Sequence, residues 1–311
     1  MEKGLVLKST GSHYRVRLDS GEILDCLIRG RLRLKDIKTT NPITVGDWVT
    51  IEKTNHGTGL ITAIDERKNY IIRRSTNLSH EAHIIATNID QALLIVTITQ
   101  PETQLAFIDR YLVTAEAYRI PTIIVFNKVD LIDSTYQNVL NGYISIYEPI
   151  GYKCIKVSAK TGLNIDLLKQ TLQGKVSLLS GNSGVGKSSL INCIEPQLNL
   201  KTAEISNAHL KGRHTTTFSE IFELSISGFI IDTPGIKSFG LVDIKKDELY
   251  HFFPEIFKLS DKCKYYNCTH IHEPGCAVIE AVDKGDIAPS RYLSYLGIYE
   301  DDNQKYRPKL K

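Results

Sequence analysis

The chain has 311 residues, 42% hydrophobic and 23% charged, an ordinary balance for a globular protein of two or three domains. A formal net charge of +3 is too small to argue for nucleic-acid binding, so local clusters must carry that case. No run approaches the ~18 apolar residues of a spanning helix, and MEKGLVLKST has no long apolar signal core, so no membrane contact and a cytoplasmic location are expected.

Residues 1–66 read as short strands separated by turn signals. HYRVRL alternates Tyr14, Val16 and Leu18 with Arg15 and Arg17, the period of a strand buried on one side. EILDCLI, GDWVTIE and GLITAI follow, divided by Asp19-Ser20-Gly21 and Asn55-His56-Gly57. This density of strands suits a small closed barrel of the OB type, with a β-meander packed on its neighbour as the alternative.

Residues 67–245 change character. DQALLIVTI and IPTIIVFN are continuous apolar runs, as expected of strands covered on both faces. FIDRYLVTAEAY between them puts Ile108, Leu112 and Ala115 on one helical face. YKCIKVS, NIDLLKQTL, KVSLLS and a helix after Lys187 continue the alternation of a mainly parallel α/β sheet. Residues 246–311 break into short helical pieces, a Cys/His cluster and a tail, NQKYRPKLK, with four basic residues and no acid.

The phosphate-binding signal is GNSGVGKSS at 181–189, which follows an apolar strand and opens a helix. Gly181, Gly184 and Gly186 let the backbone of Asn182, Ser183 and Val185 wrap phosphates with N–H groups, and the helix N-terminus adds a favourable dipole. Lys187 is expected on the β- and γ-phosphates, the Ser188 hydroxyl on magnesium, with Ser189 beside it. IIDTPG then places Asp232 at a strand end, the position of a magnesium-holding acid, and Gly235 where its N–H reaches the γ-phosphate. In GRHTTT between them, Thr216 is preferred by spacing, with Thr215 close behind, to complete the magnesium shell.

The base-selecting signal comes earlier. In VFNKVDL, Asp130 offers two acceptor oxygens that match guanine N1–H and its exocyclic amine, which adenine cannot satisfy. Asn127 serves either the base N7 or a tie between loops, and the Lys128 stem lies over the ring. VSAKTG supplies Ser158, Ala159 and Lys160, with the Ala159 N–H directed at guanine O6. The order is base loop, second base loop, phosphate loop, threonine loop, Asp-x-x-Gly. That is the usual GTPase order cut and rejoined elsewhere, which a sheet tolerates when the old termini lie close together. Because the chain leaves residues 232–235 and soon enters the Cys/His section, nucleotide state is expected to bear on that section.

Cys263, Cys268, His270 and Cys276 crowd into fourteen residues, whereas Cys26, Cys154 and Cys193 are scattered and expected to be reduced and buried. Crowding of this kind favours a metal over a disulfide, with reduced buried thiols as the alternative.

With these motifs in this order, the chain resembles the circularly permuted GTPases and, more closely, the ribosome small-subunit-dependent GTPase family (RsgA/YjeQ). The resemblance runs from the barrel-like start through the permuted centre to CKYYNCTHIHEPGC. It implies an OB-fold β-barrel at 1–66, a circularly permuted Ras-like P-loop GTPase domain at 67–245 and a mainly helical zinc-binding domain at 246–311. It also implies a late-stage assembly factor of the 30S subunit that binds 16S rRNA and hydrolyses GTP, with magnesium, on engaging the subunit as a monomer. Cys263, Cys268, His270 and Cys276 then correspond to the ligands of one structural zinc, a closed Cys3His set with no open catalytic position. His272 is the nearest competing ligand.

Ile236 stands where a Ras-like enzyme has the glutamine that orients water, so slow unassisted hydrolysis is expected, with His214 the candidate water-positioning group. RGRLRLKDIK at 29–38 has five basic residues against one acid in a barrel loop, and Arg73 with Arg74 and the tail add smaller clusters for RNA phosphates. Two other readings compete: a GTP-gated RNA-binding module with incidental hydrolysis, and a P-loop kinase, which would need a phosphoacceptor pocket.

Overall fold

The computed structural model describes residues 1–28, 42–54, 57–74, 82–200, 220–232 and 244–300. Five strands, β1 (Glu2–Ser9), β2 (Tyr14–Leu18), β3 (Ile23–Ile28), β4 (Trp48–Lys53) and β5 (Gly59–Ile64), form the N-terminal section. β1 pairs with both β2 and β4, β2 pairs with β3, and β5 lies parallel to β3 and antiparallel to β4, so the sheet closes on itself. Closure excludes the open meander. The alternation in the sequence sets the inside: Val6, Tyr14, Val16, Leu18, Leu24, Cys26, Val49, Ile51 and Ile61 fill the barrel with Ile43. Gly59 is needed at the β3–β5 contact, where an added Cβ would lie 2.5 Å from Cys26 Sγ.

A hairpin of β6 (Tyr70–Arg74) and β7 (Ala82–Thr87) follows. Arg73 and Arg74 fall on β6, with side chains outside the described residues. The joint between this hairpin and the barrel is polar and buried. Arg67 donates from Nε and Nη2 to the two oxygens of Asp47 at 2.7 and 2.6 Å, and Thr87 Oγ1 donates to Asp47 Oδ1 at 2.9 Å.

The central section is built from β8 (Gln91–Val96), α1 (Leu105–Ala117), β9 (Thr122–Phe126), α2 (Ser134–Tyr147), β10 (Lys153–Lys156), α3 (Ile165–Leu172), β11 (Val176–Ser180), α4 (Lys187–Ile194), β12 (Glu220–Leu224) and β13 (Gly228–Asp232). The strand order is β10-β9-β8-β11-β13-β12, parallel throughout except for β12. Strand β8 is buried at every position, because Ala92, Leu94 and Val96 face the core under α1 while Leu93 and Ile95 face the core under α3 and α4. Ile108, Leu112 and Ala115 of α1 enter the first of these cores, as their spacing requires. β1 of the barrel then pairs with β12, giving one sheet of eleven strands.

The C-terminal section comprises a 3-10 segment (Lys246–Phe252), α5 (Pro254–Ser260), α6 (Ala277–Lys284) and α7 (Pro289–Glu300). Its core of Leu249, Phe253, Ile256, Val278, Ala281 and Tyr295 also takes in Val113 of α1. Beside it, Arg291 and Asp109 are both fully buried and form an ion pair at 2.9 Å. Arg291 Nε also donates to Glu255 at 2.7 Å, and the Tyr147 hydroxyl donates to Asp109 at 2.7 Å. Burial opposes charge on Arg291, but Glu255 and Asp109 outweigh it and hold the guanidinium protonated. No helix among the described residues is long and apolar enough to cross a membrane.

Candidate functional site

Every loop that follows a parallel strand emerges at one edge of the sheet, the edge where open α/β sheets hold ligands. β9 ends at Phe126 and delivers Asn127, which is 2% exposed. Its Nδ2 donates to Val185 O at 2.8 Å, and its Oδ1 accepts from Ala159 N at 3.2 Å. Of its two sequence-derived roles, Asn127 occupies the tie between loops: it joins the base loop to both the second base loop and the phosphate loop. Lys128 adopts the left-handed conformation, φ 61°, and its Nζ donates to Gln100 O at 2.6 Å. Burial lowers the pKa of this ammonium, and Asp130 partly offsets that.

Asp130 sits in a 3-10 turn, Val129–Leu131, with its side chain exposed at the site. The buried Ser158 hydroxyl donates to Asp130 Oδ1 at 2.5 Å and accepts from Thr161 N at 3.1 Å, which fixes the carboxylate relative to the second loop. Asn127, Lys128, Asp130, Leu131, Ala159, Lys160, Gly186 and Ser189 line one cavity of about 460 Å³. Base-loop and phosphate-loop residues thus share a single hollow of the size of a small-ligand pocket.

β11 feeds the phosphate loop. Gly186 has φ +91°, and an added Cβ would stand 2.5 Å from Asn127 Nδ2, so glycine is required where the loops touch. Val185 is fully buried among the residues under α4, while Asn182 and Ser183 lie toward the surface. Gly186 caps α4 with no side-chain acceptor, so the first N–H groups of the helix meet no capping side chain. Lys187 Nζ bends back over the loop and donates to Gly181 O at 2.7 Å and Asn182 O at 2.8 Å. Its ammonium is held at the loop centre, where phosphate oxygens would replace these carbonyls. Ser188 is partly exposed on the first turn of α4.

β13 is parallel to β11, with Leu178 opposite Ile231, so the backbone of Asp232 ends beside the strand that enters the phosphate loop. The Asp232 side chain, His214, Thr215, Thr216, Gly235 and Ile236 lie outside the described residues, as do the basic stretch 29–38 and the tail.

A second candidate site lies in the C-terminal section. The ligand atoms of Cys263, Cys268, His270 and Cys276 all lie within 4.8 Å of one another. A tetrahedral zinc with sulfurs at ~2.3 Å and a nitrogen at ~2.0 Å sets sulfur–sulfur edges of about 3.8 Å and sulfur–nitrogen edges of about 3.5 Å. Cys263 Sγ and Cys276 Sγ are 3.9 Å apart, and His270 Nδ1 is 3.5 Å from each. The spacing fits zinc. Burial pushes the Cys268 thiol up to about 12, although a backbone hydrogen bond at His270 favours its thiolate. His272 is exposed and outside the cluster.

Two contributors were not anticipated. The residues after β8 border the same sheet edge: beyond the Lys128 bond to Gln100, a Cβ on Gly184 would lie 3.4 Å from Pro101 Cδ. The signal available was position, since DQALLIVTI is a parallel strand whose end must open on the same edge. Glu273 organises the ligand loop by accepting from Thr269 N at 2.7 Å and Ile271 N at 3.0 Å. Burial opposes its ionisation, but these bonds and that of the Thr269 hydroxyl prevail and hold it well below the usual carboxylate range.

The family model described as "RsgA GTPase" matches residues 64–242, and that described as "RsgA N-terminal domain" matches residues 3–61. The protein named small ribosomal subunit biogenesis GTPase RsgA 2, from Bacteroides thetaiotaomicron, is 56% identical over 306 residues, spanning 98% of this chain and 99% of the relative. A Flavobacterium psychrophilum protein named small ribosomal subunit biogenesis GTPase RsgA is 52% identical over 310 residues, spanning 99% and 95%. Among solved structures, YjeQ from Thermotoga maritima superposes with a TM-score of 0.78 at 37% identity, covering 96% of this chain and 97% of that one. YloQ, described as a circularly permuted GTPase, does so with a TM-score of 0.75 at 32% identity, covering 96% and 93%.

Proposed function

Because the chain belongs to the RsgA GTPase family, we propose that its GTP hydrolysis serves biogenesis of the small ribosomal subunit, with turnover triggered on engaging the subunit. The observation that carries this reading is the shared cavity between Asp130 and the phosphate loop, together with relatives named for that process.

Asp130, held by Ser158, reads guanine N1–H and N2, and Ala159 N turns from Asn127 to the base O6. Lys160 lies at the cavity rim, and the stem of Lys128 covers the ring. Backbone N–H groups of 181–186 and the ammonium of Lys187 take the β- and γ-phosphates. Ser188, Thr216 and Asp232 would hold magnesium, which would supply charge stabilisation to the phosphates. Gly235 N–H senses the γ-phosphate, and His214 positions water because Ile236 cannot. Cys263, Cys268, His270 and Cys276 hold one structural zinc. Residues 29–38, Arg73, Arg74 and the tail meet 16S rRNA phosphates, and the protein works as a cytoplasmic monomer.

Titrating purified 30S subunits into a GTPase assay tests this reading. Turnover is expected to rise with subunit concentration, and the apparent affinity to weaken steeply with added salt, because phosphate contacts release counterions. Absence of stimulation would favour a GTP-gated RNA-binding module instead. In the same assay, His214→Ala is expected to lower stimulated turnover by about 10²–10³-fold with GTP affinity preserved, the scale of one lost group in general-base or electrostatic assistance. Full turnover by the folded variant would assign water positioning elsewhere.

A further inference from the structure

We propose that Lys8 and Arg17 of the barrel grip strand β12 and so couple barrel engagement to the nucleotide site, acting on subunit-stimulated rather than basal GTP hydrolysis. The inference rests on the reading of this chain as a subunit-stimulated GTPase. It begins with one row across the eleven-stranded sheet. Glu220 pairs with Lys8 of β1 on one side and with Asp232 of β13 on the other. Two interstrand steps, about 10 Å, therefore separate the barrel from the backbone of the residue assigned to magnesium.

The row is fastened on both faces. Lys8 Nζ lies 3.0 Å from Glu220 Oε2, with side chains 38% and 27% exposed. Three residues along β12, on the face that also carries Ile221, Arg17 Nε of β2 lies 2.7 Å from Glu223 Oε2, and the guanidinium stands 5.8 Å from the Phe229 ring on β13. Arg17 thus reaches both strands of the β12–β13 hairpin. On that same face, Leu5 and Leu7 of β1 join Ile221 and Ile231 in the central core. A register shift between Val6 and Lys8 lets β1 serve both sections, since Val6 still packs inside the barrel.

Glu220 comes four residues after Thr216, and Asp232 three before Gly235, so both γ-phosphate-sensing segments adjoin the open end of the hairpin that the barrel holds. A shift of that end on taking or losing the γ-phosphate must move Glu220 relative to Lys8 or carry β1 with it. By reciprocity, a barrel fixed on RNA biases the hairpin toward one nucleotide state.

The test uses the full chain with its zinc. Glu220→Lys with Glu223→Lys sets like charges against Lys8 and Arg17, and adding Lys8→Glu with Arg17→Glu restores opposite charges. Basal kcat and the KM for GTP are expected to stay at wild-type values in both. Subunit-stimulated kcat should fall about tenfold in the first variant, within the usual range of coupling between sites, and recover in the second. A residue with only a structural role would lower basal turnover too and would not separate kcat from KM. Wild-type stimulation in the first variant overturns the inference, as does failure of the second to recover while it still binds subunits. Amide exchange of β1 without any subunit gives an independent readout. Its protection should differ several-fold between GDP and a non-hydrolysable GTP analogue in the wild type and not in the first variant, and no difference in the wild type overturns the inference. Wild-type protein that subunits fail to stimulate would sink the proposed function alone, because amide exchange still decides the coupling.

Discussion

Asp130→Asn is expected to move the nucleotide preference from GTP toward xanthosine triphosphate. In the proposed site the carboxylate would accept from guanine N1–H and from the exocyclic amine. The asparagine amide keeps one acceptor for N1–H but turns an N–H donor toward position 2, where guanine also has a donor. Losing a charged hydrogen bond and leaving two donors opposed costs about 3–4 kcal/mol, or two to three orders of magnitude in GTP affinity. Xanthine carries an oxygen at position 2, so the same amide now pairs. The fold tolerates the change, because Ser158 Oγ can still donate to the remaining carbonyl oxygen at the position it occupies at 2.5 Å. Titrations of both nucleotides against both proteins check this. An asparagine variant that keeps wild-type GTP affinity would remove Asp130 from the base site.

Zinc removal is expected to cost the C-terminal section its fold while leaving the nucleotide site in place. Cys268 and Cys276 are core residues of that section, packed with Phe253, Val278 and Tyr295, so the ligands and the apolar core are one unit. Structural zinc contributes on the order of 10 kcal/mol to domains of this kind, far more than a core of this size can spare. Metal analysis should give one zinc per chain. Cys268→Ser, or a strong chelator, should abolish the C-terminal unfolding transition and stimulation by subunits, with GTP affinity changed by less than about threefold because no described residue of the base or phosphate loops packs in that core. Full thermal stability of the metal-free chain would show that thiols alone complete the core. A matching loss of GTP binding would show instead that the Arg291–Asp109 pair transmits the collapse through α1.

What was legible in the sequence had local grammar. Strands buried on both faces are written as apolar runs, so QALLIV and TIIVF announced themselves, and the loops after them inherited a common edge. The phosphate loop and the Cys/His crowding are short-range patterns whose chemistry dictates their spacing. What was not legible depends on partners distant in sequence. Asp109 looks like a solvated helix position in FIDRYL, yet it is fully buried against Arg291, 182 residues away. Asp47 and Arg67 have the same character at the barrel joint. The seam between β1 and β12 did leave a trace. Leu5, Val6 and Leu7 are consecutive and all buried, whereas a barrel strand with a wet outer face would alternate. The sequence-derived expectation that nucleotide state bears on the C-terminal section now has a defined constraint, because α7 is tied to α1 through the buried Arg291–Asp109 pair.

The most direct measurement is an experimental structure with a non-hydrolysable GTP analogue and magnesium. The account requires the guanine in the cavity of about 460 Å³, with N1 and N2 within hydrogen-bond distance of the Asp130 carboxylate, while Lys187 Nζ releases Gly181 O and Asn182 O for the β- and γ-phosphates. An analogue whose phosphates rest on Lys187 but whose base lies away from Asp130 would contradict it.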